Sequence, residues 1–143
     1  MIVVDTTVLV YAVGGEHPLR RPARALVEAI GAGRVQATTS VEVIQELAHV
    51  RARRRGRKDA VAVARAFGAL LAPLLDVGER DLERGLRLFE RHHELGALDG
   101  VLAAAAIERG AEALVSADRA FGSVRQLPFV ELGSSRLDRL LDP

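Results

Sequence analysis

A short β-branched run at the start of the chain, closed by an acid, constrains the fold more than any other feature. Ile2, Val3 and Val4 are consecutive and apolar, which is typical of a strand buried on both faces in a parallel sheet. Asp5 follows directly. Ligands of open α/β sheets bind outside the carboxyl ends of the strands, so Asp5 either belongs to such a site or caps the helix or turn that follows.

A second apolar run that is followed by an acid occurs late in the chain. Residues 113–115 are again apolar and are followed by Ser116 and Asp118. Between the two runs, helical and strand patterns alternate, which favours βαβ units. We therefore predict the α/β class, with one domain over residues 1–143 and a mostly parallel central sheet covered by helices on both faces.

Apolar spacing and turn residues predict the individual elements. Helices are expected at 23–30, 39–51, 59–71, 79–92 and 99–110, strands at 34–38, 74–77 and 129–132, and a short amphipathic tail at 137–141. The helix at 79–92 should bury Leu82, Leu86 and Phe89. Thr39 and Glu42 have the spacing of a capping box at the start of their helix.

Composition excludes several classes of protein. With 49% hydrophobic but 3% aromatic residues, the chain has too few rings for a base-stacking sheet of the RNA-recognition-motif kind. Without cysteine it has neither disulfides nor thiolate metal sites, which favours an intracellular protein. There is no apolar run of about 18 residues and no basic lead-in to the first strand, so we expect no membrane span, no signal peptide and a cytoplasmic location.

Four acids fall at element ends or beside core runs: Asp5, Glu46, Asp99 and Asp118. Two like charges about 4 Å apart repel by roughly 4 kcal/mol at an effective dielectric of 20, so a shared cleft requires a cation. Mg²⁺ or Mn²⁺, which prefer oxygen ligands, would remove that repulsion. Each acid also has a structural interpretation, as a helix cap or a solvated helix residue. Glu42 rivals Glu46 one turn away, and we prefer Glu46 because Glu42 already serves the capping box.

In this order and spacing the chain resembles the PIN-domain ribonucleases, specifically the short VapC-type toxins. The motifs that carry the resemblance are Asp5-Thr6-Thr7, Ser40 with Glu46-Leu47, Leu98-Asp99, and Val115-Ser116-Ala117-Asp118-Arg119. The resemblance implies a PIN fold and a Mg²⁺- or Mn²⁺-dependent endoribonuclease, the toxin of a type II toxin–antitoxin pair. It also implies an RNA substrate, a small antitoxin partner and a homodimer.

The resemblance further implies roles for individual residues. The four acids would bind the metal and carry the hydrolysis, and Thr6, Thr7, Ser116 and Arg119 would support them or the scissile phosphate. Thr7 stands where the family often has Asn. Gly100 follows the third acid where a better helix former is usual, which is expected to loosen that helix start.

Basic residues concentrate between Arg51 and Lys58, where six of eight side chains are Arg or Lys. This run is predicted to guide RNA phosphates or to meet an acidic partner, the alternative being a solvated helix end and loop. The histidines lack metal-ligand spacing and are interpreted as surface or packing residues. They are His17, His49, His92 and His93.

Three other functions stay open. A phosphotransferase with an aspartate nucleophile also places Asp after its first strand, but it needs a second acid two residues later, where Thr7 stands. A non-catalytic PIN-like binding module would keep the fold without the chemistry. A PIN nuclease of RNA processing or decay would cut RNA without an antitoxin.

Overall fold

The computed structural model describes residues 1–142, and its centre is a four-stranded sheet in which every pairing is parallel. The spatial order of the strands is β2-β1-β3-β4. Their bounds are β1 Ile2–Val4, β2 Ala37–Thr38, β3 Ala113–Ser116 and β4 Phe129–Glu131. The parallel sheet expected from the two apolar runs is confirmed.

Seven α-helices and one 3₁₀ turn connect and flank these strands in the described part of the chain. The helices are α1 Thr6–Val13, α2 Arg20–Gly31, α3 Val41–Arg55, α4 Arg57–Leu70, α5 Glu79–Arg91, α6 Ala97–Glu108 and α7 Ser135–Leu141, and the 3₁₀ turn is Arg119–Ser123. Within residues 1–142, no helix is long and apolar enough to cross a membrane.

The strand order places a crevice between β1 and β3. From β1 the chain crosses to β2 on one side, then returns past β1 to β3 on the other. Right-handed crossovers in opposite directions put the connecting helices on opposite faces of the sheet, as predicted, and leave a switch point at the carboxyl ends of these two strands. The Asp5 amide donates to the Val115 carbonyl at 3.0 Å, which continues the pairing to the edge of that crevice.

Helix α1 is an element that the sequence patterns missed. It starts immediately after β1, with Asp5 as its N-cap and Gly14 as its C-cap. The interpretation of Asp5 as a cap is therefore confirmed. The strand predicted at 74–77 is reduced to one parallel bridge between Ser40 and Leu75.

The predicted capping box at the start of α3 is wrong by one residue. Ser40 is the N-cap, and its Oγ accepts a hydrogen bond from the Val43 amide at 3.3 Å. Thr39 instead donates through its hydroxyl to the Val4 carbonyl at 2.6 Å, because its side chain points toward β1. The capping argument against Glu42 no longer holds, so the choice between Glu42 and Glu46 depends on the geometry of the site.

Helix α5 packs on a different face from the predicted one. Leu82, Leu86 and Phe89 are 49%, 43% and 46% exposed, whereas Asp81 and Gly85 are buried. The helix is therefore rotated by about one residue from the orientation that its apolar stripe suggests. Asp81 is held in place because Arg109 donates to its two carboxylate oxygens at 2.7 and 3.0 Å.

A pair of glycines explains this rotation. A Cβ built on Gly85 would lie 2.5 Å from the Cα of Val101, and one built on Gly100 would lie 2.6 Å from the Gly85 carbonyl oxygen. Side chains at these positions would force α5 and α6 apart. Gly100 thus permits a backbone-to-backbone contact inside α6, which begins three residues earlier, at Ala97.

We predict that Gly100→Ala lowers the free energy of unfolding by about 1–3 kcal/mol, because the added methyl group overpacks the α5–α6 contact. Gly68→Ala is the matched control, since Gly68 lies inside α4 with no atom within 4 Å of an added Cβ. That control should gain up to about 1 kcal/mol from helix propensity. Denaturant unfolding of both variants measures the difference, and equal effects would contradict the close contact.

Candidate active site

The carboxylate of Asp5 is the centre of a hydrogen-bond network that joins the ends of β1 and β3. Asp5 is 3% exposed, and its Oδ2 accepts from the Ser116 hydroxyl at 2.6 Å and from the Thr7 hydroxyl at 2.9 Å. In turn, Thr7 Oγ1 accepts from the Ala117 amide and Ser116 Oγ from the Asp118 amide, both at 2.9 Å. These hydrogen bonds therefore connect the polar residues that follow β1 to those at the end of β3, which are the two motifs that the sequence repeats.

Glu46, which lies on α3, is connected to this network by a hydrogen bond. The Thr6 hydroxyl, one residue after Asp5, donates to Glu46 Oε2 at 2.7 Å. Glu42 instead lines an apolar groove together with Val77 and residues of α5 and α6 such as Leu82. Its Oε2 is buried without a hydrogen-bond partner among residues 1–142. The geometry therefore favours Glu46 over Glu42 as the acid of this site.

Asp99 and Asp118 complete the set of acids. Asp99 lies in the first turn of α6, and its pKa is raised to about 7, first by burial and then by the charges of Asp5, Asp118 and Glu46. Burial also raises the pKa of Asp5, against the hydrogen bonds that lower it. Asp118 caps the 3₁₀ turn by accepting from the Ala120 amide at 2.9 Å. The charges of the other three predicted acids therefore all act on Asp99.

The donor set of this cluster suits a hard divalent cation. Every candidate ligand is a carboxylate oxygen, and the mutual repulsion that helps to raise the pKa of Asp99 is the interaction that a cation relieves. Within residues 1–142, no group of three or more His, Cys, Asp or Glu side chains is placed so that it could hold a metal ion together. Mg²⁺ does not require one, because it keeps several waters and is usually held by one or two carboxylates.

Of the four residues predicted to support the acids or the scissile phosphate, three lie in the hydrogen-bond network around the acids and one does not. Thr6, Thr7 and Ser116 all belong to the network around the acids. Arg119 is largely exposed and pairs with Glu131, Nε to Oε1 at 2.7 Å, so the structure does not bring it into that network.

The basic side chains between Arg51 and Lys58 do not share one surface. Arg51 is a structural residue, with its Nε 2.6 Å from Asp59 Oδ1 and its Nη1 donating to the Val13 carbonyl at 3.1 Å. Arg53 and Arg57 line a groove between α3 and α4. Arg54 lines a different groove, of about 510 Å³, between α1 and α3.

The groove between α1 and α3, called the α1–α3 groove below, opens directly from the acid site. Thr6 and Glu46 form one end of its lining, and Tyr11, His17 and Arg54 lie further along. The sequence patterns missed it because they missed α1, which forms one wall. Residues 8–10 are continuously apolar, and such a run does not distinguish a buried helix from a strand. The cap at Asp5 followed by eight residues to Gly14 was the available signal.

Comparison with known proteins places this geometry in a family. The family model described as PIN domain matches residues 2–127. The chain is 52% identical over 134 residues to Ribonuclease VapC7 of Mycobacterium tuberculosis, an alignment that covers 91% of this chain and 90% of that protein. The chain therefore belongs to the VapC ribonucleases of the PIN-domain family.

Solved structures share the fold at lower sequence identity. The crystal structure of Mycobacterium tuberculosis VapC20, described as a sarcin–ricin loop cleaving toxin, matches with a TM-score of 0.73 at 21% identity and covers 86% of this chain and 94% of that one. Rickettsia felis VapBC2, bound to a DNA fragment from their promoter, matches with a TM-score of 0.71 at 20% identity over 92% and 98% of the two chains. These likenesses support the α/β PIN fold.

The raised pKa of Asp99 predicts how the metal-free protein responds to pH. Asp99 titrates near 7 when folded and near its usual 3.8 when unfolded, so its contribution to stability is complete below 3.8 and is lost as the pH rises toward 7. In chelator, the melting temperature should therefore fall across this window, and Asp99→Asn should make the fall shallower. Thermal melts at a series of pH values test this prediction. If the melting temperature of Asp99→Asn fell as steeply with pH as that of the wild type, the effect of the other acids on Asp99 would be contradicted.

Proposed function

We propose that this protein is a metal-dependent endoribonuclease that hydrolyses phosphodiester bonds of RNA, with Asp5, Glu46, Asp99 and Asp118 as its catalytic, metal-binding acids. One observation carries the proposal: these acids come from four separate segments of the chain and share one electrostatic field at the switch point of the sheet. The similarity to a protein named as a ribonuclease supports the choice of substrate.

Mg²⁺ or Mn²⁺ is the proposed cofactor. A divalent ion at these carboxylates would supply positive charge to stabilise the phosphate in the transition state and to activate water for attack. The chain's own residues fix the arrangement. Ser116 and Thr7 hold the Asp5 carboxylate in one orientation, and Thr6 holds that of Glu46. These three hydroxyls orient the acids that would receive the ion, a kind of support that typically changes metal affinity or activity by about 10–100-fold.

We predict that Asp5→Asn, Glu46→Gln, Asp99→Asn and Asp118→Asn each slow RNA cleavage by roughly 100-fold or more, because each removes a carboxylate that would hold the divalent ion whose positive charge stabilises the transition state. Glu42→Gln, one helical turn from Glu46, is the matched control and should cleave nearly as fast as the wild type. Initial rates on RNA with Mg²⁺ or Mn²⁺ measure both. A greater loss in Glu42→Gln than in Glu46→Gln would reverse the assignment of the glutamate.

The same variants test whether the acids hold the metal. Asp5→Asn keeps a side chain that caps helices well but loses the charge, so it should melt at a higher temperature than the wild type in chelator. It should also gain less when Mg²⁺ is added, since a ligand stabilises only the state that binds it. A lower melting temperature with a full metal response would identify Asp5 as a structural cap alone.

Two alternatives are separated by these measurements. A PIN-like binding module without catalysis would bind RNA and cut none, in the wild type and the variants alike. A nuclease of RNA processing or decay would cut RNA without an antitoxin. We favour the toxin of a type II toxin–antitoxin pair, because the chain belongs to the VapC ribonucleases. A small neighbouring reading frame encoding a DNA-binding protein would be the antitoxin partner, and its absence would favour the processing nuclease.

We also propose that the chain forms a homodimer through the exposed apolar face of α5. Leu82, Leu86 and Phe89 lie on that face of a helix whose own chain does not cover them. Acids and arginines alternate along α5, so the exposed apolar face, and not a separation of charge, carries this proposal. In an isologous two-fold interface the same face of α5 would be buried in both copies.

Leu86→Arg should convert this dimer to a monomer, because it places a charge in the centre of the apolar face. Val61→Arg on α4 is the matched control, since Val61 is also an exposed large apolar residue, at 44%. Sedimentation of the wild type and both variants measures the assembly state. A monomeric wild type, or dissociation of both variants alike, would contradict the proposed interface.

We propose that the single domain extends beyond the match to the family model, over residues 1–143. Strand β4 pairs with β3, and Leu137 of α7 is fully buried, so residues 128–142 contribute to the same core. Residue 143 lies outside the described part.

A cytoplasmic site of action is proposed from the absence of cysteine and from the RNA substrate.

A further inference from the structure

We propose that the α1–α3 groove binds the single-stranded RNA next to the cleavage site, with Tyr11 and His17 stacking on a base and Arg54 contacting a phosphate. This inference deepens the proposed function and rests on it. The groove has about 510 Å³ and is lined at one end by Thr6 and Glu46, so a strand that reaches the acids can continue into it without a break.

An aromatic pair forms one part of the groove. The rings of Tyr11 and His17 stack, with centroids 4.4 Å apart and planes 27° from parallel. Tyr11 is half-buried against the core, and His17 is exposed in the loop between α1 and α2, where its Nδ1 accepts from the Leu19 amide at 3.1 Å. A fixed ring pair beside a nuclease site is a platform for one unpaired base, and such stacking is tolerant of base identity.

Arg54 supplies the positive charge of the groove. It lies on the same helix as Glu46, eight residues on, which corresponds to about 12 Å along the helix axis. Arg54 is exposed, whereas Arg51 is committed to Asp59. Glu16 and Glu46 are the carboxylates of the lining, and Glu46 belongs to the proposed metal site. Arg54 is thus placed to contact a phosphate of a strand that also reaches the acids.

Within the basic run, adjacent residues provide a matched comparison. Arg53 and Arg54 are both exposed in the last turn of α3, but Arg53 lines the groove between α3 and α4, away from the acids. Arg54→Gln should lower the slope of log affinity against log salt by about 0.7, the value for one phosphate contact on a single strand. Arg53→Gln should leave the slope unchanged.

The stacking pair is tested by removing each ring. Tyr11→Leu should weaken RNA binding about tenfold and raise KM more than it lowers kcat, and Tyr11→Phe should restore wild-type affinity. His17→Ala removes the exposed ring without touching the core, so it should weaken binding even if Tyr11→Leu fails to fold. The probe is a fluorescent, random-sequence, single-stranded RNA with Mg²⁺ present, followed by anisotropy before cleavage proceeds, with melting temperatures recorded alongside.

The outcomes separate this proposal from the proposed function. Equal salt slopes for Arg53→Gln and Arg54→Gln, or unchanged affinity in both ring variants, would overturn the groove assignment while leaving cleavage at the acids intact. Unchanged RNA binding combined with weaker binding of the antitoxin would make the groove a protein-docking site and would also overturn it. A wild-type protein that cuts no RNA would contradict the nuclease, whereas the groove would still be judged by binding.

Discussion

The buried carboxylate of Asp5 is the interaction on which the rest of the structure depends. Burying an ionised carboxylate is unfavourable unless hydrogen bonds compensate for lost water. Here the hydroxyls of Thr7 and Ser116 and the amide at the start of α1 provide them, yet burial still outweighs them in raising the pKa of Asp5. The same bonds fix β1, α1 and β3 relative to one another. Stability and chemistry therefore depend on the same few atoms.

Much of this arrangement could be predicted from the sequence because it is encoded locally. The strands at 2–4 and 113–116 are short apolar runs between polar residues, and the acids lie at the ends of elements or one turn from them. Their order along the chain carries the family resemblance. Helix α1 was not predictable in the same way, because Val8 and Leu9 are buried within a continuous apolar run that shows no helical periodicity.

The errors at α3 and α5 have a common physical cause. A hydrophobic stripe shows that a face will be covered, but it does not show whether the same chain or another covers it. In α5 the close approach of Gly85 to Gly100 and the pairing of Asp81 with Arg109 determine which face turns inward. At α3, Thr39 hydrogen-bonds to β1, and Ser40 takes the cap. Both outcomes depend on contacts between distant segments, which local spacing does not record.

The net charge of the chain is only +1, yet acidic and basic side chains lie at different places along the α1–α3 groove. Glu46 lies at the acid end of the α1–α3 groove and Arg54 lies further along the same helix. Without a cation, the carboxylates repel the phosphates that Arg54 attracts. A divalent cation at the acids lowers the net negative charge at that end and can accept a phosphate oxygen as a ligand, so the site would then bind RNA more favourably. By thermodynamic linkage, RNA affinity and metal affinity must then increase together. The acids that make the metal-free site unfavourable thus make substrate binding conditional on the metal.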